Sequence, residues 1–183
     1  MKITEITIFI GLLWLIEIIN SGMSHELSRW GVLPRTEVGL RGIFFWTFLH
    51  GSNAHLIANT IPLAILSWFI LLRGFKDFLI VTLGVTIVAG LMLWLMGRPA
   101  IHVGASGLIF GFFGFLVAIG LYEHSFKSWF FSILTIVIYG GIVWGVLPQQ
   151  GNVSWEGHLF GLLAGWFIAK QMVNKPDKPI ASP

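Results

Sequence analysis

Six stretches of about twenty mainly apolar residues constrain this chain more than anything else in it, because that is the length at which an α-helix crosses a bilayer. They lie near 4–21, 53–72, 76–96, 104–121, 129–147 and 157–173. With 56% of its 183 residues hydrophobic and 10% charged, the chain could not hide its apolar surface inside one small aqueous globule. The expected fold is an all-α membrane protein, with six transmembrane helices in a compact bundle and a single domain over residues 1–173. The short tail, 174–183, has two Lys-Pro pairs and little to bury, which predicts disorder on the cytoplasmic side. The first stretch carries Glu5 and Glu17 and is followed by no small-x-small site, so it is read as a retained helix and not as a cleaved signal peptide.

An even number of spans puts both termini on one side. Lys2, Arg73, Lys76, Lys127, Lys170, Lys175 and Lys178 fall on that side, against Arg29, Arg35, Arg41 and Arg98 opposite, so the positive-inside rule places the termini in the cytoplasm. The net charge of +3 is spread over helix ends and calls for no nucleic-acid partner. Absence of cysteine excludes disulfides, thiolate metal ligands and a cysteine nucleophile.

Between the first two spans, the outer segment from Gly22 to Gly51 contains "GIFFWTFLHG", aromatic but too short to cross. It is expected to be a membrane-associated loop, lying in the interface or dipping into the outer leaflet. The second, fourth and sixth spans all start on this outer side. His55 and Asn59, Ser106, and His158 come early in those three spans and therefore sit at neighbouring depths.

Glycine stripes suggest how they meet. Gly157, Gly161 and Gly165 recur along the sixth span, and Gly107, Gly111 and Gly114 along the fourth. Small residues let helix backbones approach closely in lipid, where packing drives association. If the stripes face one another, Ser106 comes near His158. A serine hydroxyl beside an imidazole is the minimum equipment for nucleophilic catalysis: the ring takes the proton as oxygen attacks and returns it to the leaving amine. The free N–H groups and positive dipole end of the helix starting near Ser106 suit an oxyanion. His55 and Asn59, four residues apart, share a helix face and could add donors to that hole.

Taken singly, each residue has an ordinary explanation. Ser106 alone reads as an N-cap or packing residue, and His55 with Asn59 as an interhelical hydrogen-bonded pair. Their convergence at matched depth favours chemistry, since ionisable groups inside a membrane are rare. No metal and no cofactor are expected: His50 and His55 are five apart, no carboxylate accompanies them, and H-E-x-x-H is absent. Glu156 reads as a helix-start carboxylate facing the dipole. Glu17 lies near the outer end of the first span, with a partner in the outer loop unspecified. His25, His102 and His124 read as loop or interface residues. Arg41 either binds lipid phosphate or fixes the outer loop internally. A transporter or channel is disfavoured by the lack of an inverted repeat and the few buried charges.

Three motifs together resemble the rhomboid intramembrane serine proteases: "HGSNAHLIAN" in the second span, "GASGLIFG" in the fourth and "GHLFGLLAG" in the sixth. Their order, spacing and placement on alternate helices agree over about residues 1–173. The resemblance implies that Ser106 is the nucleophile and His158 the general base and acid, with no acidic third member. It implies an oxyanion hole of His55, Asn59 and the Ser106 backbone N–H, and a supporting role for His50. Gly104, Gly107, Gly111, Gly161 and Gly165 match the family's packing glycines. The implied activity is cleavage of a peptide bond in or beside a transmembrane helix of another membrane protein, at a site open to the outer face of a bacterial inner membrane. The alternative is a non-catalytic module of the same fold that binds transmembrane helices. The chain departs from the family in two places. Many members carry a Trp-Arg pair in the outer loop, where this chain has Arg41 followed by Gly42. Many also have a tyrosine one turn after the serine, where this chain has Phe110, which keeps a ring to stack on the histidine but lacks the hydroxyl.

Overall fold

The computed structural model describes residues 2–149 and 153–173, so the expected tail lies outside the described residues. Among the described residues, seven α-helices run in order: α1 Lys2–Gly22, α2 Glu37–Phe45, α3 Asn53–Leu71, α4 Phe75–Met96, α5 Ser106–Glu123, α6 Phe126–Tyr139 and α7 Trp155–Val173. Shorter 3-10 turns occupy Glu26–Trp30 and Gly140–Val146. Local chemistry sets several starts: the side chains of Thr36, Ser52 and Ser125 accept the N–H groups of Gly39, His55 and Ser128, capping α2, α3 and α6.

Among the described residues, five segments, α1, α3, α4, α5 and α6 with its 3-10 continuation, are long and apolar enough to cross a membrane. The sixth long helix, α7, matches α3 in length, but Glu156, His158 and Lys170 dilute its apolar character. Burial runs inside-out relative to a soluble protein. Ile3, Ile8, Leu12 and Leu15 on α1, and Phe126, Trp129 and Val137 on α6, are exposed where lipid would cover them. Such a molecule is an integral multi-pass membrane protein.

The buried axis of the bundle is α5, almost wholly inaccessible from Gly107 to Gly120. It lies against α7 backbone to backbone. A Cβ at Gly161 would collide with the carbonyl oxygen of Gly107, one at Gly165 with that of Gly111, and one at Gly114 with that of Leu162. The two stripes meet, with Gly161 and Gly165 set against the carbonyls of Gly107 and Gly111. The carbonyls of Gly107 and Gly111 face α7, whereas their missing side chains leave room for the Trp46 ring and for Val85 of α4. A helical residue's C=O and Cα–H point in different directions, so one glycine serves two neighbours. Gly104, also expected among the packing glycines, is instead a loop residue with φ +134°, beside the His55 ring.

The segment from Met23 to Ser52 folds over one end of the bundle. Val38, Leu40, Phe44 and Phe45 of α2 point outward, while Trp46 inserts inward and donates its indole N–H to Thr86 O at 3.0 Å. The exposed Arg41 lies over the Trp30 ring, 4.3 Å from its centroid, a cation–π contact between two parts of the segment. His102 lies in the loop between α4 and α5, as expected, but inside the fold. It is buried, its backbone pairs with Val32, and its ring sits between Ser154 Oγ (2.7 Å) and Arg98 O (3.1 Å). The carbonyl can only accept, so Nε2 carries the hydrogen and Nδ1 accepts from the Ser154 hydroxyl. Burial pushes this imidazole's pKa below its ordinary value, partly opposed by the bond to Arg98 O.

Candidate active site

Ser106 is the first residue of α5, and Ala105 occupies the N-cap position without a side-chain cap. The serine hydroxyl is thus not spent on the helix end; Ser106 Oγ lies 2.9 Å from His158 Nε2. On the far side of the ring, Nδ1 is 2.9 Å from the carbonyl oxygen of Gly145. A carbonyl only accepts, so Nδ1 holds the hydrogen and Nε2 turns a free lone pair towards the Ser106 hydroxyl. That is the tautomer a general base needs. Phe110 stacks flat on the imidazole, with centroids 4.2 Å apart and planes within 4°.

Gly145 was not among the residues singled out from sequence. It reaches His158 because the segment expected as one helix over 129–147 ends its α-helical part at Tyr139 and tightens into the 3-10 turn Gly140–Val146. A backbone carbonyl leaves no residue-type signature. The nearest clue is the glycine itself, since a Cβ there would come within 2.7 Å of Phe110 Cζ.

The other side of the site is built from α3 and the loop before it. His50 is fully buried, and its Nε2 accepts the backbone N–H of Ala105 at 3.2 Å and faces Asn59 Nδ2 at 3.3 Å. With two donors on one ring nitrogen, His50 is neutral and carries its hydrogen on Nδ1. Burial, and then the nearby His55, lower its pKa to about 3. The two imidazoles meet edge to face, 5.2 Å apart. Asn59 Nδ2 has a second hydrogen beyond the one facing His50. His55, Asn59, Ser106, Ser154 and His158 line a cavity of about 600 Å³, with Ile101, Val103 and Val153 on its apolar lining. Among the described residues, no group of three or more His, Asp or Glu is arranged to hold a metal ion.

A serine hydroxyl aimed at an imidazole lone pair, inside a multi-pass helical bundle and beside an open cavity, defines a class: membrane-embedded proteins with a serine–histidine pair. The Rhomboid domain family matches residues 38–175, and the chain belongs to the rhomboid family. It is 38% identical to an uncharacterised protein of Mycobacterium tuberculosis, over 96% of this chain and 76% of that one. An uncharacterised Mycobacterium leprae protein is 39% identical, over 93% of this chain and 70% of its own length. RHOMBOID-like protein 5 of Arabidopsis thaliana is 30% identical, over 74% of this chain and 45% of its own.

Proposed function

We propose that this protein is an intramembrane serine endopeptidase that hydrolyses a peptide bond in or next to a transmembrane helix of another membrane protein. The observation that supports this most is the 2.9 Å approach of Ser106 Oγ to His158 Nε2, with the ring's other nitrogen engaged by Gly145 O. Ser106 Oγ attacks the scissile carbonyl carbon while Nε2 takes the hydroxyl proton. The resulting oxyanion is met by the Ser106 N–H at the start of α5, with His55 and Asn59 across the cavity. The imidazolium returns the proton to the leaving amine, and a water deprotonated by Nε2 then hydrolyses the acyl-enzyme. No cofactor takes part.

A substrate helix has its backbone bonds satisfied internally, so attack follows local unwinding. Substrates with Gly or Pro near the cut are therefore favoured. The partners are the transmembrane substrate and the bilayer. In this reading the protein sits in a bacterial inner membrane with both termini in the cytoplasm, and the cavity draws water from the outer face. The test incubates purified protein with a fluorophosphonate probe and a transmembrane reporter. Wild type is expected to be labelled and to cleave, while Ser106→Ala and His158→Ala do neither. Labelling that persists in Ser106→Ala would remove the nucleophile assignment; an inert wild type across several reporters would favour a module that binds transmembrane helices without cutting them.

A further inference from the structure

Glu17 is a carboxylate in a mainly apolar membrane-spanning helix, and it is 1% exposed. An ionisable group in such a place is costly and usually functional, yet it lies outside the serine–histidine pair. Its contacts lead there. Glu17 Oε2 accepts from Asn20 Nδ2 at 3.2 Å, and Oε1 lies 3.2 Å from His25 Nε2. Asn20, fully buried, donates to the carbonyl of His50 at 2.9 Å and accepts the Leu27 N–H at 3.0 Å. Ser28 Oγ donates to the same His50 carbonyl at 2.9 Å. From the other end of that residue, the His50 ring holds the N–H of Ala105, one residue before Ser106.

We infer that Glu17 and Asn20 are positioning residues for the reaction, fixing the His50 segment and through it the first N–H groups of α5 and the Asn59 amide. The inference rests on the protease reading. The local backbone fits the assignment: Ser24 and His25 both adopt the left-handed region, at φ 54° and 62°. Non-glycine residues hold that conformation where surroundings enforce it. Here the His25 N–H bonds to Asn20 O at 2.7 Å, while its ring faces Glu17. The carboxylate thus organises the turn after α1 as well as the asparagine that reaches His50. Neither residue touches the cavity, so their effect is on the geometry of the site and not on substrate contact.

The experiment compares full-length wild type, Glu17→Leu, Glu17→Gln and Ser28→Ala for reporter cleavage, fluorophosphonate labelling and thermal unfolding in detergent. Glu17→Leu removes both acceptors; kcat and the labelling rate are expected to fall by about tenfold, short of the roughly 100- to 1,000-fold that outright removal of an oxyanion donor costs. KM is expected to change by less than about twofold, because the interaction acts in the transition state. Glu17→Gln keeps an acceptor for Asn20 and restores most of the rate. Ser28→Ala leaves the buried carboxylate intact and lowers kcat by about threefold, so the inference stays open to test if Glu17→Leu does not fold. Wild-type kcat in both Glu17→Leu and Ser28→Ala overturns the inference alone. So does a loss that Glu17→Gln fails to rescue and that vanishes well below the unfolding midpoint. Absence of Ser106-dependent cleavage in wild type overturns the protease reading, and this inference with it.

Discussion

His158 gives its Nδ1 hydrogen to the carbonyl oxygen of Gly145 at 2.9 Å, so a backbone atom does the orienting that an aspartate does in a three-membered serine–histidine site. A neutral acceptor fixes the tautomer without stabilising the imidazolium as strongly as a carboxylate would. The flat stack of Phe110 then holds the ring plane.

This arrangement predicts the effect of crowding it. A side chain at Gly145 meets Phe110 Cζ first and His158 Nδ1 next, at 2.7 and 3.4 Å from Cβ. Gly145→Val should therefore displace both the stacked ring and the carbonyl, lowering kcat by about 10- to 100-fold with little change in KM. Phe110→Ala should fall in the same range, since the ring loses the flat stack that holds its plane. Reporter cleavage under saturating and limiting substrate separates kcat from KM; a rise in KM alone would contradict the positional account.

Helix contact gives a second prediction. Gly161→Ala and Gly165→Ala each set a methyl against a backbone carbonyl of α5, which cannot rotate away as a side chain can. Each should destabilise by about 1–3 kcal/mol or more, the usual cost of overpacking, and should lower activity by parting Ser106 from His158. Gly11→Ala in α1 is the control. Nothing lies within 4 Å of its Cβ, and the change should be neutral or slightly stabilising. Unfolding midpoints in one detergent decide between them.

These contrasts show which features were legible in sequence. The spans announce themselves through apolar length, and the meeting of Ser106 with His158 through their depth and the flanking glycines. What escaped was set by backbone conformation. The Gly145 carbonyl carries no residue-type signal, and the 3-10 turn that delivers it differs from a helix by small dihedral changes that an apolar run does not encode. Gly104 looks like any other glycine until its φ of +134° places it beside His55. The burial of His102 was not legible because its partners, Val32 and Ser154, lie far away in sequence and meet only when two loops pack together.

At the opposite end of the bundle, Arg73 joins three helices. Its guanidinium forms a two-pronged pair with Glu123 at the end of α5, at 2.6 and 2.8 Å, and reaches Asp77 of α4 at 3.4 Å and Ser128 of α6 at 3.3 Å. The guanidinium is largely buried, and Glu123 is about one-third exposed, so solvent screens the pair only in part. Arg73→Ala should cost about 1–3 kcal/mol, chiefly by leaving Glu123 without its partner. The double change Arg73→Ala with Glu123→Ala should be milder than the sum of the singles, a coupling measurable as a double-mutant cycle. Full additivity would show that the pair contributes nothing.

The last prediction concerns acid. Native His50 has its pKa lowered to about 3 by burial and by His55, whereas the unfolded residue titrates near 6.5. Between those values the unfolded chain binds a proton that the native chain refuses. Stability from this residue is therefore fully present above about pH 6.5 and is lost as pH falls through that window, by at most about 1.4 kcal/mol per unit. The structural reason is that protonation would place a hydrogen on Nε2, against the N–H of Ala105 and the amide of Asn59. Replacing the ring by an amide, His50→Gln, keeps an acceptor but removes the titration. His102 contributes a slope of the same sign, its own pKa being lowered by burial, so the readout is the difference between the two proteins and not the wild-type curve alone. Denaturant unfolding in detergent from pH 7.5 down to 4.5 should show wild type losing stability faster than His50→Gln. Parallel curves would mean that His50 accepts a proton in the native state, and that its Nε2 is not the acceptor holding the start of α5.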